Sequence, residues 1–294
     1  MELYRETFGS AGDPAILLIG GVSAAMDWWD TEFCERLAGA GRFVIRYDHR
    51  DTGQSPASPP GKPRYTSEDL ATDPLRILDS LGVERAHLAG VSMGGGIAQF
   101  LGALHAHRVR TLTLIATGPA GERASQESLP PTNPPPSPPE PDWHDRAAVI
   151  DYLVENQRAY CGVPFDEDRM RRLATHVAGR TRDMAASMTN HLLAPGTPSP
   201  FRLADITAPT LVLHGTLDPL FPIAYGEALA AEIPHARLVP LENMGHEYPP
   251  PHLWDVVVPE IIQHTSGGTR YSSPGRERDR AGRSARAGGA PDPR

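Results

Sequence analysis

A serine set between glycines, at the junction of a predicted strand and a predicted helix, constrains the fold of this chain more than any other feature. The segment Gly90-Val91-Ser92-Met93-Gly94 directly overlaps the end of the apolar run Ala86–Val91. It precedes a helical pattern in which apolar residues recur on one face, at Ile97, Phe100, Leu101 and Leu104. A serine on so sharp a turn needs small neighbours, and Gly90 and Gly94 provide them. The Ser92 hydroxyl is therefore predicted to stand clear of a sheet, at the N-terminus of a helix.

Short apolar runs alternate with helical patterns along most of the chain, which is typical of a mostly parallel, doubly wound α/β sheet. Several runs are almost continuously apolar, as buried parallel strands are. The predicted strands are Leu3–Phe8, Ala15–Ile19, Phe43–Asp48, Ala86–Val91, Val109–Ala116, Thr210–Gly215 and Arg237–Leu241. Pro74 interrupts a helical pattern between Ser67 and Leu81, so we expect this helix to begin near Asp73 or to kink there.

Two segments break the alternation and suggest the domain organisation. Residues 118–200 contain no strand pattern; they include the proline-rich stretch Pro130–Pro141 and helical patterns at Arg146–Tyr160 and Asp166–Leu192. We interpret residues 118–200 as a helical lid inserted between two parts of one hydrolase core, 1–117 and 201–265. Residues 266–294 are rich in Ser, Gly and Arg with almost no large apolar side chain, and are predicted to form a disordered tail.

Composition argues against several classes of partner. The 294-residue chain carries a formal net charge of -8, whereas nucleic acids and anionic membranes select basic surfaces. Its two cysteines, Cys34 and Cys161, do not make a disulfide framework, and the N-terminus does not resemble a signal peptide. We therefore expect a cytoplasmic protein that acts on a small molecule.

Ser92 has candidate partners for nucleophilic catalysis further along the chain. A serine hydroxyl needs a base, and the base needs a carboxylate that orients it. Asp218 follows the apolar run Thr210–Gly215, and His246 follows the run that ends at Leu241. Open α/β sheets place their sites at the carboxyl ends of strands, and the order serine, acid, histidine matches this type of site. We predict a catalytic triad of Ser92, His246 and Asp218.

Other interpretations of these residues remain open at this point. Asp218 could cap a helix ahead of Pro222, and His246 could be an ordinary surface histidine. Asp205 is a weaker candidate acid because it precedes its strand, and Glu242 is a further alternative. His214 lies inside a strand pattern and is expected to pack in the core.

Two backbone N–H groups are predicted to bind the oxyanion of a tetrahedral intermediate. Met93 follows the nucleophile, and a second donor should come from the loop after Ala15–Ile19. Gly21 is the predicted second donor, since a glycine lets the backbone approach the substrate. Trp28 and Trp29 follow this loop closely; because adjacent residues point about 100° apart on a helix, we expect one to line the substrate pocket and the other to pack elsewhere.

Taken together, these motifs resemble those of the α/β-hydrolase fold family over roughly residues 3–265. The residues that carry the resemblance are Gly20-Gly21, the run Arg46–Ser55, Gly90–Gly94, Asp218 and Gly245-His246. The Arg46–Ser55 run and the Gly-Gly-x-x-Ala loop are most similar to actinobacterial aclacinomycin methylesterase-type enzymes. Members of the fold usually carry one more strand before Leu3–Phe8, so we expect the sheet to lack an edge strand or Met1 to be an internal start.

The resemblance implies an esterase that removes a methyl ester, or another small alcohol, from a bulky apolar acid. The same triad could instead cleave a C–C bond, a lactone, an amide or a thioester, and a catalytically silent ligand-binding protein is a further alternative. No phosphate-binding loop, dinucleotide fingerprint or zinc-protease helix is present in the sequence, so no cofactor or metal is expected.

Overall fold

The computed structural model describes residues 1–122, 129–196 and 200–266, and the predicted tail from 267 onwards lies outside the described residues. Seven strands form one sheet in the order β1-β3-β2-β4-β5-β6-β7. The strands are β1 (Arg5–Phe8), β2 (Ala15–Ile19), β3 (Phe43–Tyr47), β4 (Ala86–Val91), β5 (Val109–Ile115), β6 (Thr210–Gly215) and β7 (Ala236–Leu241). Neighbouring strands are parallel, except that the edge strand β1 pairs antiparallel with β3.

Helices cover both faces of the sheet. They are α1 (Thr31–Gly39), α2 (Ser67–Ser80), α3 (Met93–Leu104), α4 (Arg146–Tyr160), α5 (Glu167–Arg180), α6 (Met184–Leu193), α7 (Ala224–Glu232) and α8 (Trp254–Thr265). Strand β2 shows how the two cores arise, because successive side chains of a strand point to opposite faces. Leu17 and Ile19 pack with α2, α3 and α7, whereas Ile16 and Leu18 pack with α1 and α8.

Helices α4, α5 and α6 form an insertion between β5 and β6, as the strand-free segment predicted. The chain leaves and rejoins the sheet at neighbouring points, where Glu122 and Arg202 form an isolated parallel bridge. The three helices share a third apolar cluster with Trp28 and two alanines of the loop that follows β2. The insertion therefore lies over that loop. In the part of it that the structure describes, residues 129–141 adopt neither helix nor strand.

Two helix starts differ from the simplest expectation. The helix around Pro74 begins at Ser67, not near Asp73, because Thr66 and Asp69 form a reciprocal capping box at its N-terminus. The single helical pattern Asp166–Leu192 is two helices, since Asp183 caps a new start by accepting the N–H of Ala186. No helix among the described residues is long and apolar enough to cross a membrane.

Candidate active site

The turn between β4 and α3 holds Ser92 in a strained conformation. Its φ of 53° lies in the region that side-chain-bearing residues avoid. A Cβ on Gly90 would approach the carbonyl oxygen of Gly94 to 2.2 Å, and one on Gly94 would approach that of Ile19 to 2.3 Å. Both positions therefore require glycine, for the reason inferred from the sequence. The serine N–H donates to the Ile115 carbonyl at 3.0 Å, which ties the turn to β5.

Three predicted side chains meet in one hydrogen-bonded chain. His246 Nε2 is 2.9 Å from Ser92 Oγ, and His246 Nδ1 is 2.9 Å from Asp218 Oδ2. The other carboxylate oxygen of Asp218 accepts the N–H groups of Leu220 and Phe221, at 2.9 and 2.8 Å. Asp218 is buried, and the two backbone N–H groups and the His246 imidazole together fix the orientation of its carboxylate. The three side chains follow β4, β6 and β7, so they lie together at the carboxyl ends of these parallel strands.

The alternative acids lie outside the hydrogen-bonded chain, whereas the alternative base His214 lies next to it, with Nε2 3.8 Å from Asp218 Oδ2. Asp205 is exposed and pairs with Arg202. Glu242 is exposed, and its carboxylate lies 3.4 Å from the Thr216 hydroxyl oxygen. His214 is fully buried in β6, where burial lowers its pKa, and its Nε2 lies 2.7 Å from the Phe221 carbonyl oxygen. The structure therefore gives His214 the packed position expected for it, beneath the turn that carries Asp218.

The loop that carries His246 rests on the inserted helices, which sequence reasoning did not anticipate. The His246 N–H donates to the carbonyl of Tyr160, the last residue of α4, at 2.7 Å. Gly245 makes this close approach feasible, because a Cβ there would lie 2.2 Å from the Tyr160 carbonyl oxygen. The phenyl ring of Phe221 packs on the imidazole from another side, with ring centroids 5.4 Å apart.

The two predicted oxyanion donors differ in their surroundings. Met93 is the first residue of α3, so its N–H has no acceptor within the helix. The Gly21 N–H, in contrast, donates to the Tyr248 hydroxyl at 2.8 Å. A Cβ on Gly21 would meet its nearest neighbours at ordinary contact distance, 3.6 Å from Ser92 Cβ and from the Val91 carbonyl oxygen. Steric need therefore does not explain this glycine, and the sequence did not point to Tyr248.

A cavity of about 270 Å³ opens at Ser92 and His246 and continues under the inserted helices. Its wall from the core includes Trp28 and Tyr248, and its wall from the insertion is lined by Tyr152, Asn156, Gln157, Tyr160, Met184 and Met188. Trp28 thus lines the cavity, whereas Trp29 packs against Phe33 in the core. Among the described residues, no three acidic, histidine or cysteine side chains cluster as a metal site would require.

Comparison with known proteins agrees with this fold and arrangement. The model of the alpha/beta hydrolase fold family matches residues 14–201, so the chain belongs to the α/β-hydrolase fold family. The chain is 35% identical over 269 residues to the rhodomycin D methylesterase DauP of Streptomyces sp. (strain C5), covering 85% of this chain and 90% of that enzyme. It is 34% identical, with the same coverage, to the rhodomycin D methylesterase DnrP of Streptomyces peucetius. It is therefore a hydrolase of the esterase type, and the methylesterase resemblance is confirmed.

Solved structures agree on the fold. The enol-lactonase from Burkholderia xenovorans LB400 superposes with a TM-score of 0.68 at 23% identity, over 90% of this chain and 96% of that one. A hydrolase from Pseudomonas aeruginosa PA01 superposes with a TM-score of 0.66 at 24% identity, over 90% and 94%. At such identities the similarity concerns the fold alone.

Proposed function

We propose that this protein hydrolyses a carboxylic ester through an acyl-enzyme formed on Ser92. The observation that carries the proposal is the hydrogen-bonded chain from Ser92 Oγ through His246 to Asp218, with 2.9 Å at each link. His246 Nε2 takes the hydroxyl proton as Ser92 Oγ attacks the ester carbonyl, and then gives that proton to the leaving alcohol. Water, activated by the same imidazole, releases the acid. Asp218 keeps Nδ1 protonated and stabilises the imidazolium.

The negative charge of the tetrahedral intermediate falls between the first turn of α3 and the loop after β2. Met93 N–H supplies one donor there, and the N-terminus of α3 adds its positive end. The second hydrogen-bond donor lies on the side of the loop that carries Gly21. Each such donor contributes about 10²–10³-fold in rate in comparable sites.

The substrate is proposed to be a methyl ester, or another small-alcohol ester, of a bulky apolar acid. The names of the methylesterase relatives support the small leaving group. The cavity supports the bulky acid, since an indole, two methionines and two lid tyrosines offer apolar and ring surface. Both cysteines are free, which supports work in the reducing cytoplasm.

An ester panel that varies the acid and the alcohol separately tests this proposal, with wild-type protein and Ser92→Ala in parallel. We expect methyl esters of ring-bearing acids to be cleaved best and Ser92→Ala to lose the activity by several orders of magnitude. Matched lactone, amide and thioester substrates test the other bonds that the triad could cleave. A fluorophosphonate probe should label wild type at Ser92; absence of labelling would indicate a catalytically silent binding protein.

A further inference from the structure

The Tyr248 hydroxyl accepts the N–H group that was predicted to be the second oxyanion donor. Its oxygen accepts the Gly21 N–H at 2.8 Å, in the wall of the cavity that contains Ser92. A Cβ built on Gly21 would lie 3.6 Å from Ser92 Cβ and 3.7 Å from the tyrosine oxygen, so Ser92 and the Tyr248 hydroxyl are both close neighbours of Gly21. While the hydroxyl accepts the Gly21 N–H, this N–H is not free to bind an oxyanion directly.

The phenol has one proton to donate and no acceptor for it. The hydroxyl makes a single hydrogen bond among the described residues, and in that bond it is the acceptor. Burial raises the pKa of Tyr248 well above its ordinary value, so the group stays protonated at working pH. The hydroxyl belongs to a partly buried side chain in the cavity wall, where an acceptor on a bound ligand can take this proton.

Packing holds the ring in place. Its plane stacks on Trp28, with centroids 6.3 Å apart, and its edge meets Trp29 at 5.0 Å and 88°. The chain on either side is tied down, since the His246 N–H bonds to Tyr160 and the Pro249 carbonyl accepts the Trp254 indole N–H at 2.7 Å. The hydroxyl is thus a fixed group and would not need to reorganise as charge develops.

We propose that the Tyr248 hydroxyl is the second donor to the oxyanion and that the Gly21 N–H acts through it. The inference rests on the proposed acyl-enzyme mechanism. In the tetrahedral state Met93 N–H and Tyr248 O–H both donate to the oxyanion, while the Gly21 N–H donates to the tyrosine oxygen. No bond is made or broken at the phenol. Hydrogen bonds arranged in such a chain polarise and strengthen one another.

Tyr248→Phe tests the proposal because it keeps the ring packing and removes only the O–H. We expect kcat to fall about 10²-fold or more with little change in KM. Affinity for a trifluoromethyl ketone analogue of the best substrate should fall by the same factor as kcat/KM. The control is Tyr47→Phe, which removes another buried phenol oxygen, one with no hydrogen-bond partner among the residues that the structure describes. Tyr47 lies outside the site, so the kinetics of this variant should match wild type.

An unchanged or raised kcat in folded Tyr248→Phe would overturn the proposal, because it would mean that the phenol merely blocks the Gly21 N–H. Replacement of Tyr248 by a fluorinated tyrosine gives an independent readout that keeps the side-chain shape. Because this residue keeps the O–H, its kcat should stay close to that of wild type. A loss as large as that of Tyr248→Phe would also contradict the proposal. Failure of the acyl-enzyme mechanism itself would appear separately, as full activity in Ser92→Ala.

Discussion

At the scale of single residues, the candidate site combines groups whose positions are set by very different constraints. Gly90 and Gly94 are required because a Cβ on either would lie 2.2–2.3 Å from a backbone carbonyl oxygen, so the turn between β4 and α3 tolerates no side chain there. Asp218 is held by two backbone N–H groups as well as by the imidazole. Its oxygens are therefore satisfied before any substrate binds, and the carboxylate is prepared to orient His246.

The assignment of the acid can be tested with a matched pair. Asp218→Asn should reduce kcat by about 10⁴-fold, because an amide stabilises the wrong imidazole tautomer and no imidazolium. Asp205→Asn changes an exposed aspartate that pairs with Arg202, and should leave kcat near wild type. Steady-state kinetics on the best methyl ester measures both. Near-normal activity in Asp218→Asn would remove this residue from the mechanism.

Alanine variants of the two adjacent tryptophans should have different effects, one on substrate specificity and the other on stability. Trp28→Ala removes an indole from the cavity wall and should raise KM for a bulky aromatic ester far more than for an acetate ester. Trp29→Ala removes a core indole and should cost about 3–5 kcal/mol of unfolding free energy, with no selective effect on either ester. Equal effects of Trp28→Ala on both esters would exclude this residue from the acid pocket.

At the scale of elements, the partly buried guanidinium at the end of α5 joins this helix to two buried aspartates of the core. Arg180, the last residue of α5, bonds both oxygens of Asp48 at 2.8 and 2.6 Å and reaches Asp27 at 2.6 Å. Asp48 also accepts the N–H groups of Met26 and Gln54 at 2.8 Å. The Arg46–Ser55 run, which carried much of the family resemblance, thus provides the carboxylate on which the inserted helices dock.

Arg180→Met should therefore destabilise the protein strongly. It leaves two buried carboxylates without their cation, and breaking a buried pair in this way costs about 3–5 kcal/mol. Arg171→Met is the control on the same helix, because Arg171 pairs with Asp151 at the surface and should cost at most about 1 kcal/mol. Urea unfolding compares the two. Similar losses would mean that the contacts of Arg180 with Asp27 and Asp48 contribute little to stability.

At the scale of the whole molecule, buried histidines make stability depend on pH. Burial is the largest cause that lowers the pKa of both His49 and His87 to about 3. In the unfolded chain a histidine titrates near about 6.5. Below about pH 6.5 these histidines bind a proton in the unfolded chain but not in the folded chain. The free energy of unfolding is therefore highest above about pH 6.5 and falls as the pH decreases.

We expect the free energy of unfolding to fall between pH 7 and pH 5, by about 2 kcal/mol for each such histidine. His87→Asn should keep a polar partner for Thr111, which His87 contacts at 2.9 Å, while removing one titrating group. Its unfolding free energy should consequently drop less over this pH range. Urea titrations at both pH values measure the difference, and an identical drop in the variant would contradict the assignment to His87.

Much of the fold and of the candidate site could be predicted because the responsible constraints are local. Short, almost continuously apolar runs located the strands to within about two residues. The turn that carries Ser92 was recognised from Gly90 and Gly94, which backbone contacts require. Asp218 and His246 were found because a parallel sheet collects the carboxyl ends of its strands at one edge. Of the two expectations for the helix around Pro74, the start near Asp73 was wrong, because the helix begins at a capping box that outweighs the proline.

The remaining features were decided only by tertiary structure. Tyr248 meets Gly21 across 227 positions of sequence, and Arg180 reaches Asp48 across 132. Neither contact leaves a periodic or turn signal, because each depends on how a loop and an inserted helix pack against the sheet. The sequence by itself determined that a serine would be raised at the end of β4 with an acid and a histidine downstream. Which hydroxyl would lie beside that serine was set by packing alone, since residues so far apart become neighbours only when the whole chain is folded.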